Sequence, residues 1–220
     1  MFSKILIANR GEIAVRIIRA CKDMGIATVA VYSGADAESI HAALADECIC
    51  VGPAAAGESY LNQQNIISAA LLTGAQAIHP GYGFLSENAE FAKLCKKHGL
   101  VFIGPPGDII AQMGDKDAAR RMMREAGVPV VPGCDLVSNV EEAKKEGEHI
   151  GYPLLIKARA GGGGKGIRLV KSADELEYAY VAASEEAQQA FGDGSVYMEK
   201  FLSPVKHIEM QMLADEKGNV

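Results

Sequence analysis

The chain has 220 residues, 49% hydrophobic and 23% charged, with a formal net charge of -6. That balance is ordinary for a globular protein, and its negative sign excludes the basic surface of a nucleic-acid binder. No apolar run reaches the 18 residues needed to cross a bilayer, and "MFSKILIANRGE" holds too short an apolar run for a signal-peptide core. No nucleic-acid or membrane partner is therefore expected, and the chain reads as cytoplasmic. Cys21, Cys48, Cys50, Cys95 and Cys134 are odd in number and sit mostly in apolar runs, which predicts reduced, buried thiols. Strand alternation in "ECICVG" puts Cys48 and Cys50 on one face; a CxC pair alone lacks the further ligands of a metal site, and no metal ligand is assigned.

Residues 1–104 alternate strand and helix. "KILIA" (4–8) is a short continuous apolar run, as in a strand covered on both faces. "EIAVRIIRACKDMG" places Ile13, Ile17, Ala20, Cys21 and Met24 on one helical face, with Gly25 as the C-terminal stop. "ATVAVY" (27–32), "CICVG" (48–52), "AQAIHP" (75–80) and "LVFIG" (100–104) supply further strands. Between them fall helices such as "SENAEFAKLCKKHG" (86–99), with Ser86 as its candidate N-cap. This order predicts an α/β fold built on a doubly wound parallel sheet.

After the turn cluster "GPPGD" comes a helix, "DKDAARRMMREAG" (115–127), and then a second unit. Ser138 with Glu141, and Ser172 with Glu175, form capping-box patterns that open two helices. Between those helices lies "PLLIKARAGGGGKGIRLVKS" (153–172), in which five glycines occupy six positions. Each glycine in an element interior costs about 0.5–1 kcal/mol against alanine, so the cluster asks for a close approach of ligand or backbone. Gly161, Gly163 and Gly166 spell GxGxxG, yet "GIRLVKS" follows as a strand where the dinucleotide fingerprint needs a helix. The P-loop pattern fails because Lys165 precedes Gly166 instead of Ser or Thr. What remains is strand, glycine loop, strand: either a flap whose amides close on phosphates beside Lys157, or a flexible hairpin with a solvated lysine. "VYMEKFL" and an alternating strand, "KHIEMQMLADEKGNV", end the chain.

"GDKDAARRMMREAGVPVVPG", "GYPLLIKARAGGGGKGIRLV" and "VYMEKFL" resemble, in order and spacing, the ATP-grasp superfamily. "KILIANRGEIAVRIIRACKDMGI", "ADECICVG", "SYLN" and "AIHPGYGFLSENAEFA" narrow the resemblance to the biotin carboxylases, over essentially the whole chain. The short lead to "KILIANRGE" resembles the biotin carboxylase subunit of acetyl-CoA carboxylases, which serves fatty acid synthesis; pyruvate and propionyl-CoA carboxylases share most of these motifs.

The resemblance implies a pre-ATP-grasp, Rossmann-like domain over 1–114, linker helices over 115–128, an α+β ATP-grasp lid over 129–202 and the start of the ATP-grasp core over 203–220. It implies that MgATP and bicarbonate form carboxyphosphate, and that the carboxyl group passes to N1′ of biotin on a biotin carboxyl carrier protein. Lys116 and Lys157 match phosphate-binding lysines, and Gly161, Gly162, Gly163, Gly164 and Gly166 match the phosphate flap, with Lys165 where many members carry arginine. Glu199 matches the acceptor for the adenine amine. Lys200, Phe201 and Leu202 match the strand that reads the ring edge, and His207 matches a histidine near the nucleotide, with Glu209 on the same strand face. Tyr82 and Gly83 match a loop that contacts biotin. Arg16 and Arg19, one turn apart on the first helix, are either a solvated pair or face a second copy, since members of the family often form homodimers.

In the family, magnesium ligands, bicarbonate ligands and the catalytic arginine follow these segments. They are expected beyond residue 220, so no catalytic residue is assigned and the chain alone is expected not to turn over ATP in a biotin- and bicarbonate-dependent manner. The rivals are a non-catalytic nucleotide-binding module on the same fold and another ATP-grasp ligase with a carboxylate substrate. "AIHPGYGFLSEN" argues against the latter, because the resemblance ties that segment to biotin.

Overall fold

A strand that must be apolar at every position needs a layer on each of its faces, and the first half of the chain supplies both. The computed structural model describes residues 1–160, 166–215 and 217–220, with backbone alone for residues 116 and 117. Its first ten elements are β1 (Lys4–Ile7), α1 (Gly11–Asp23), β2 (Ala27–Ser33), α2 (Ile40–Leu44), β3 (Glu47–Gly52), α3 (Gln63–Thr73), β4 (Ala77–His79), α4 (Ala89–Lys97), β5 (Val101–Phe102) and α5 (Gly107–Gly114). The five strands are parallel in the order β3-β2-β1-β4-β5. Leu6 and Ala8 turn to a core with Val29, Val31, Ile78 and Phe91. Ile5 and Ile7 turn the other way, onto Ile17, Ile18 and Cys21. This is the doubly wound sheet expected from the alternating pattern.

Several local expectations shift. Helix α1 buries Ala14, Ile17, Ile18 and Cys21, whereas Ala20 and Met24 are exposed. Docking on β1 turns the buried stripe toward Ala14 and Ile18, and the helix ends as expected before Gly25, whose φ is 68°. The N-cap of α4 is Asn88, which accepts from the Phe91 amide, not Ser86. Ser86 instead closes a turn on the Gly83 carbonyl, because the buried Leu85 pins the loop before the helix can start. Cys21 and Cys95 are buried, but Cys48 and Cys50 share the open face of the edge strand β3 and are exposed. Helix α5, opening on Gly107 inside the turn cluster, is an element that periodicity alone did not reveal.

Helix α6 (Lys116–Glu125) crosses the division between two compact units, Met1–Ala119 and Arg120–Val220. The second unit comprises β6 (Gly133–Val137), α7 (Val140–Ile150), β7 (Leu154–Ala158), β8 (Ile167–Val170), α8 (Ala173–Phe191) and β9 (Val196–Lys200). Its strands form an antiparallel sheet in the order β6-β9-β7-β8. Leu154, Ile156, Val170, Val196 and Met198 pack against Ala143, Leu176, Ala179 and Ala183 of the two helices. Alternation sends Leu155, Lys157, Ile167, Leu169 and Glu199 to the opposite face, which α7 and α8 do not cover.

The capping boxes are also offset. Asn139, not Ser138, caps α7 by accepting from the Glu142 amide, and Glu142 in turn accepts from the Ser138 amide. Ser172 occupies the N-cap of α8 without a side-chain cap bond, while Glu175 reaches back to the Lys171 amide. The strand expected after "VYMEKFL" does not form. Ile208, Met210, Met212 and Leu213 are exposed, and no described strand takes them as a neighbour. A strand is a pairing, and alternation without a partner leaves no ladder. Among the described residues no helix is long and apolar enough to cross a membrane.

Candidate functional site

Two groups of expected site residues lie in different units. In the first unit the sheet order reverses between β1 and β4, and a doubly wound sheet opens its crevice beyond the carboxyl ends of such strands. The segment from His79 to Phe84 lies there. Asn9, buried just past β1, donates from Nδ2 to the carbonyls of Pro80 and Tyr82, both at 2.8 Å. The Gly81 amide donates to His79 Nδ1 at 3.0 Å, which places the ring proton of neutral His79 on Nε2; burial holds that imidazole below its usual range. Gly81 has a φ of 65°, and a Cβ there would stand 2.6 Å from Ile13 Cγ2, so glycine is required twice over.

The far end of the loop is clamped by rings. Phe84, at a φ of 46°, stacks on the buried Tyr60 with centroids 5.0 Å apart. The Arg10 guanidinium lies 5.3 Å and 5.5 Å from the two ring centroids. Asp36 Oδ2 accepts from Tyr60 at 2.6 Å and from Ser33 Oγ at 2.7 Å, and lies 3.4 Å from Arg10 Nη1. Those hydrogen bonds, Tyr60 first, hold Asp36 below the usual carboxylate range. Burial and the Asp36 carboxylate push the Tyr60 phenol up to about 12. Between the Asn9 clamp and the ring clamp, Tyr82 and Gly83 are presented exposed at the tip. Arg16 and Arg19 are exposed on α1 in a groove shared with Glu12, Glu38 and Ile40.

In the second unit, antiparallel pairing sets Leu155 opposite Glu199 and Lys157 opposite Tyr197. Lys157 and Glu199 are therefore diagonal neighbours on the uncovered face. Lys157 Nζ donates to Glu199 Oε2 at 2.6 Å, with the two side chains 27% and 15% exposed. Arg120 of α6 approaches the other oxygen, its Nη1 standing 3.6 Å from Glu199 Oε1. Leu155, Ile167 and Leu169 continue the same face as an apolar floor. The arrangement offers a flat apolar surface bordered by one carboxylate and two cations, suited to an aromatic ring carrying an anionic group.

The glycine loop connects β7 to β8 as a hairpin. The Ala158 amide donates to the Gly166 carbonyl at 2.8 Å, and the Gly166 amide donates to Glu186 Oε2 at 3.1 Å. Gly166 has a φ of 70°, and a Cβ there would lie 2.5 Å from Ala158 Cβ. Gly161, Gly162, Gly163, Gly164 and Lys165 lie outside the described residues, as does the side chain of Lys116.

Beyond Glu199 the backbone is partly committed. The Lys200 amide donates to the Pro132 carbonyl and the Phe201 amide to the Pro153 carbonyl, at 2.8 Å and 3.1 Å. Lys200 Nζ is turned to the Tyr152 carbonyl at 2.9 Å. The Leu202 amide makes no hydrogen bond among the described residues. His207 is exposed, and its Nε2 pairs with Glu209 Oε1 at 2.9 Å rather than with the Lys157–Glu199 cluster. The expected shared strand face is replaced by a direct contact on irregular backbone. Arg120, Asn9 and the Tyr60–Asp36 pair were not singled out by sequence reasoning. Asn9 lies inside "IANRGE", but Arg120 in "DAARRMM" looks like any helix cation. Among the described residues no group of three or more His, Cys, Asp or Glu side chains can hold a metal ion.

Comparison with known proteins accounts for both units. Residues 1–110 match the biotin carboxylase N-terminal domain family, and residues 115–220 match the ATP-binding domain of the carbamoyl-phosphate synthase L chain. Biotin carboxylase 1 of Bacillus subtilis is 56% identical over 220 residues, covering 100% of this chain and 49% of its own length. A crystal structure of a biotin carboxylase–beta-gamma-ATP complex from Campylobacter jejuni superposes with a TM-score of 0.83 at 50% identity, covering 92% of this chain and 46% of that one. The biotin carboxylase domain dimer of the Hydrogenobacter thermophilus 2-oxoglutarate carboxylase, in complex with MgADP, ADP and bicarbonate, gives 0.80 at 50% identity, with 92% and 45% covered. The chain thus spans about half the length of the curated relatives it matches.

Proposed function

Because this chain belongs to the biotin carboxylase family, we propose that it supplies the nucleotide lid and the biotin-side loop of an ATP-dependent ligase. In that reaction ATP activates bicarbonate as carboxyphosphate, and the carboxyl group passes to N1′ of biotin held on a biotin carboxyl carrier protein. The observation that carries the reading is the Lys157–Glu199 pair, set beside an apolar floor on the one sheet face its helices leave uncovered.

Each residue then has a task. The floor of Leu155 and Ile167 takes the purine, Glu199 accepts from its amine, and the Leu202 amide and the carbonyls of Lys200 and Phe201 read the ring edge. Lys157 leaves Glu199 for the phosphates, where it acts as a point charge beside Lys116. Gly161, Gly162, Gly163, Gly164 and Gly166 close over the phosphates and exclude water. His207 lies near the nucleotide once the segment after β9 is ordered. Tyr82 and Gly83 hold biotin in the first unit, and Arg16 and Arg19 face a second copy. No magnesium ligand is assigned among these residues. We place residues 1–114 in the Rossmann-like domain, 115–128 in the linker, 129–202 in the lid and 203–220 in the ATP-grasp core. The carboxyl group is assigned to an acetyl-CoA carboxylase, following the sequence resemblance, in the cytoplasm.

The test is ADP release by the native-length gene product, with free biotin and bicarbonate each supplied or withheld. Release that requires both is expected. ATP turnover indifferent to biotin would send the search to another carboxylate acceptor.

A further inference from the structure

Arg120 sits where a cation is costly and is nevertheless built in. Its side chain is 16% exposed and its guanidinium carbon lies 5.7 Å from the Tyr197 ring centroid. Nη2 reaches the Val131 carbonyl at 3.4 Å. Nη1 is fully enclosed and makes no hydrogen bond among the described residues, standing 3.6 Å from Glu199 Oε1. Gly133 lets the chain pass closely here: a Cβ there would lie 2.5 Å from both Arg120 Nη2 and the Met198 carbonyl oxygen. A buried donor without a partner is among the expensive features of a fold, so this N–H calls for a state in which it is satisfied.

We propose that Arg120 is the standing counter-ion of Glu199 and a positioning residue for adenine recognition. Lys157 and Arg120 divide the carboxylate, one oxygen each, and only Lys157 is close enough for a hydrogen bond. The reading above requires Lys157 to move to the phosphates, which would strip a part-buried carboxylate of its partner. Arg120 then closes the gap with its spare Nη1 donor and keeps Glu199 ionised and aimed at the purine amine. The inference rests on the nucleotide reading of this face.

The test compares ATP with inosine triphosphate, whose ring carries an oxygen in place of the amine, and with inorganic tripolyphosphate, which has no ring. Affinities are read on the whole 220-residue chain from amide shift titrations, which reach millimolar dissociation constants. The parent chain is expected to prefer ATP, and Arg120→Met to lose about tenfold of that preference, the scale set by one unpaired charged hydrogen bond. Tripolyphosphate binding weakens in Arg120→Met no more than inosine triphosphate binding does, since both lose only the ease with which Lys157 leaves Glu199. Arg120→Lys, which restores a cation, recovers part of the preference. Arg120→Gln, neutral but similar in length, serves if Met unfolds the unit and loses the preference as Met would. Equal weakening of ATP and inosine triphosphate makes Arg120 merely structural and overturns the proposal. A loss of tripolyphosphate binding as large as the loss of ATP binding makes it a phosphate ligand and overturns it as well. A parent chain that shows no ATP response, or no preference between the two nucleotides, fails the nucleotide reading itself and takes the proposal with it.

Discussion

His79 shows how one buried ring ties the loop from His79 to Phe84 to pH. Its Nδ1 accepts from the Gly81 amide, and burial holds the imidazole below its ordinary pKa of 6.5. A protonated ring would lose that acceptor and place a charge under the loop. Below about pH 6.5 the unfolded chain binds a proton that the native chain refuses, so stability falls as pH drops, by at most about 1.4 kcal/mol per pH unit for one group. The first unit should therefore weaken between pH 7.5 and 5.5, read as a falling urea midpoint. His79→Asn, whose Oδ1 can accept the same bond without titrating, should flatten the profile across that window. A parent chain already flat there would remove His79 as the cause. At this scale the sequence was legible for residue type and less so for position. Ser86 and Asn88 can both cap a helix, and so can Ser138 and Asn139. The choice falls to the backbone turn, which depends on where Leu85 is buried and on how the chain enters the sheet.

The glycine hairpin is an element that alternation does identify, since both flanking runs keep period two and pair Leu154 with Val170 through Lys157 with Ile167. Within it, Gly166 has a local duty separate from the proposed phosphate contact. It takes a left-handed turn against Ala158 and anchors the exit strand to Glu186. Gly166→Ala should cost about 1–2 kcal/mol for the left-handed conformation alone. In a unit of this size that amounts to several degrees in melting temperature, at about 4–8 °C per kcal/mol. A substitution that leaves melting unchanged would show that the turn relaxes freely. Alternation misleads at "KHIEMQM", where the period is present and the ladder is absent. Helix periodicity is satisfied within one segment, but strand periodicity needs a neighbour that lies elsewhere in the chain. The same asymmetry explains why the parallel sheet was legible, with each strand followed by the helix that returns it to its partner, and why the contact of Arg120 with Glu199 was not.

For the molecule as a whole, the placement of the cores makes the two candidate sites separable. The first unit holds its own pair of hydrophobic cores on the two faces of the parallel sheet, and the second holds one core between its sheet and α7 and α8. The loop from His79 to Phe84 draws its clamps from Asn9, Tyr60, Arg10 and Asp36, all of the first unit. The Lys157–Glu199 cluster draws its partners from the second. The clamps of the loop and the Lys157–Glu199 cluster share no partner among the described residues, and substitutions without shared partners add with little cross-talk, so damage at the loop should leave the proposed nucleotide face intact. Gly83 makes the point testable, because a Cβ there meets nothing within 4 Å while its φ of 72° disfavours a bulky residue. Gly83→Trp should therefore block the loop tip without disturbing either core. In the native-length gene product, the proposed biotin-dependent ADP release is expected to disappear while ATP affinity stays within about twofold of the parent, the range of near-additive sites. If ATP affinity falls in step with biotin use, the loop serves the nucleotide as well, and the division of labour between the two units has to be redrawn.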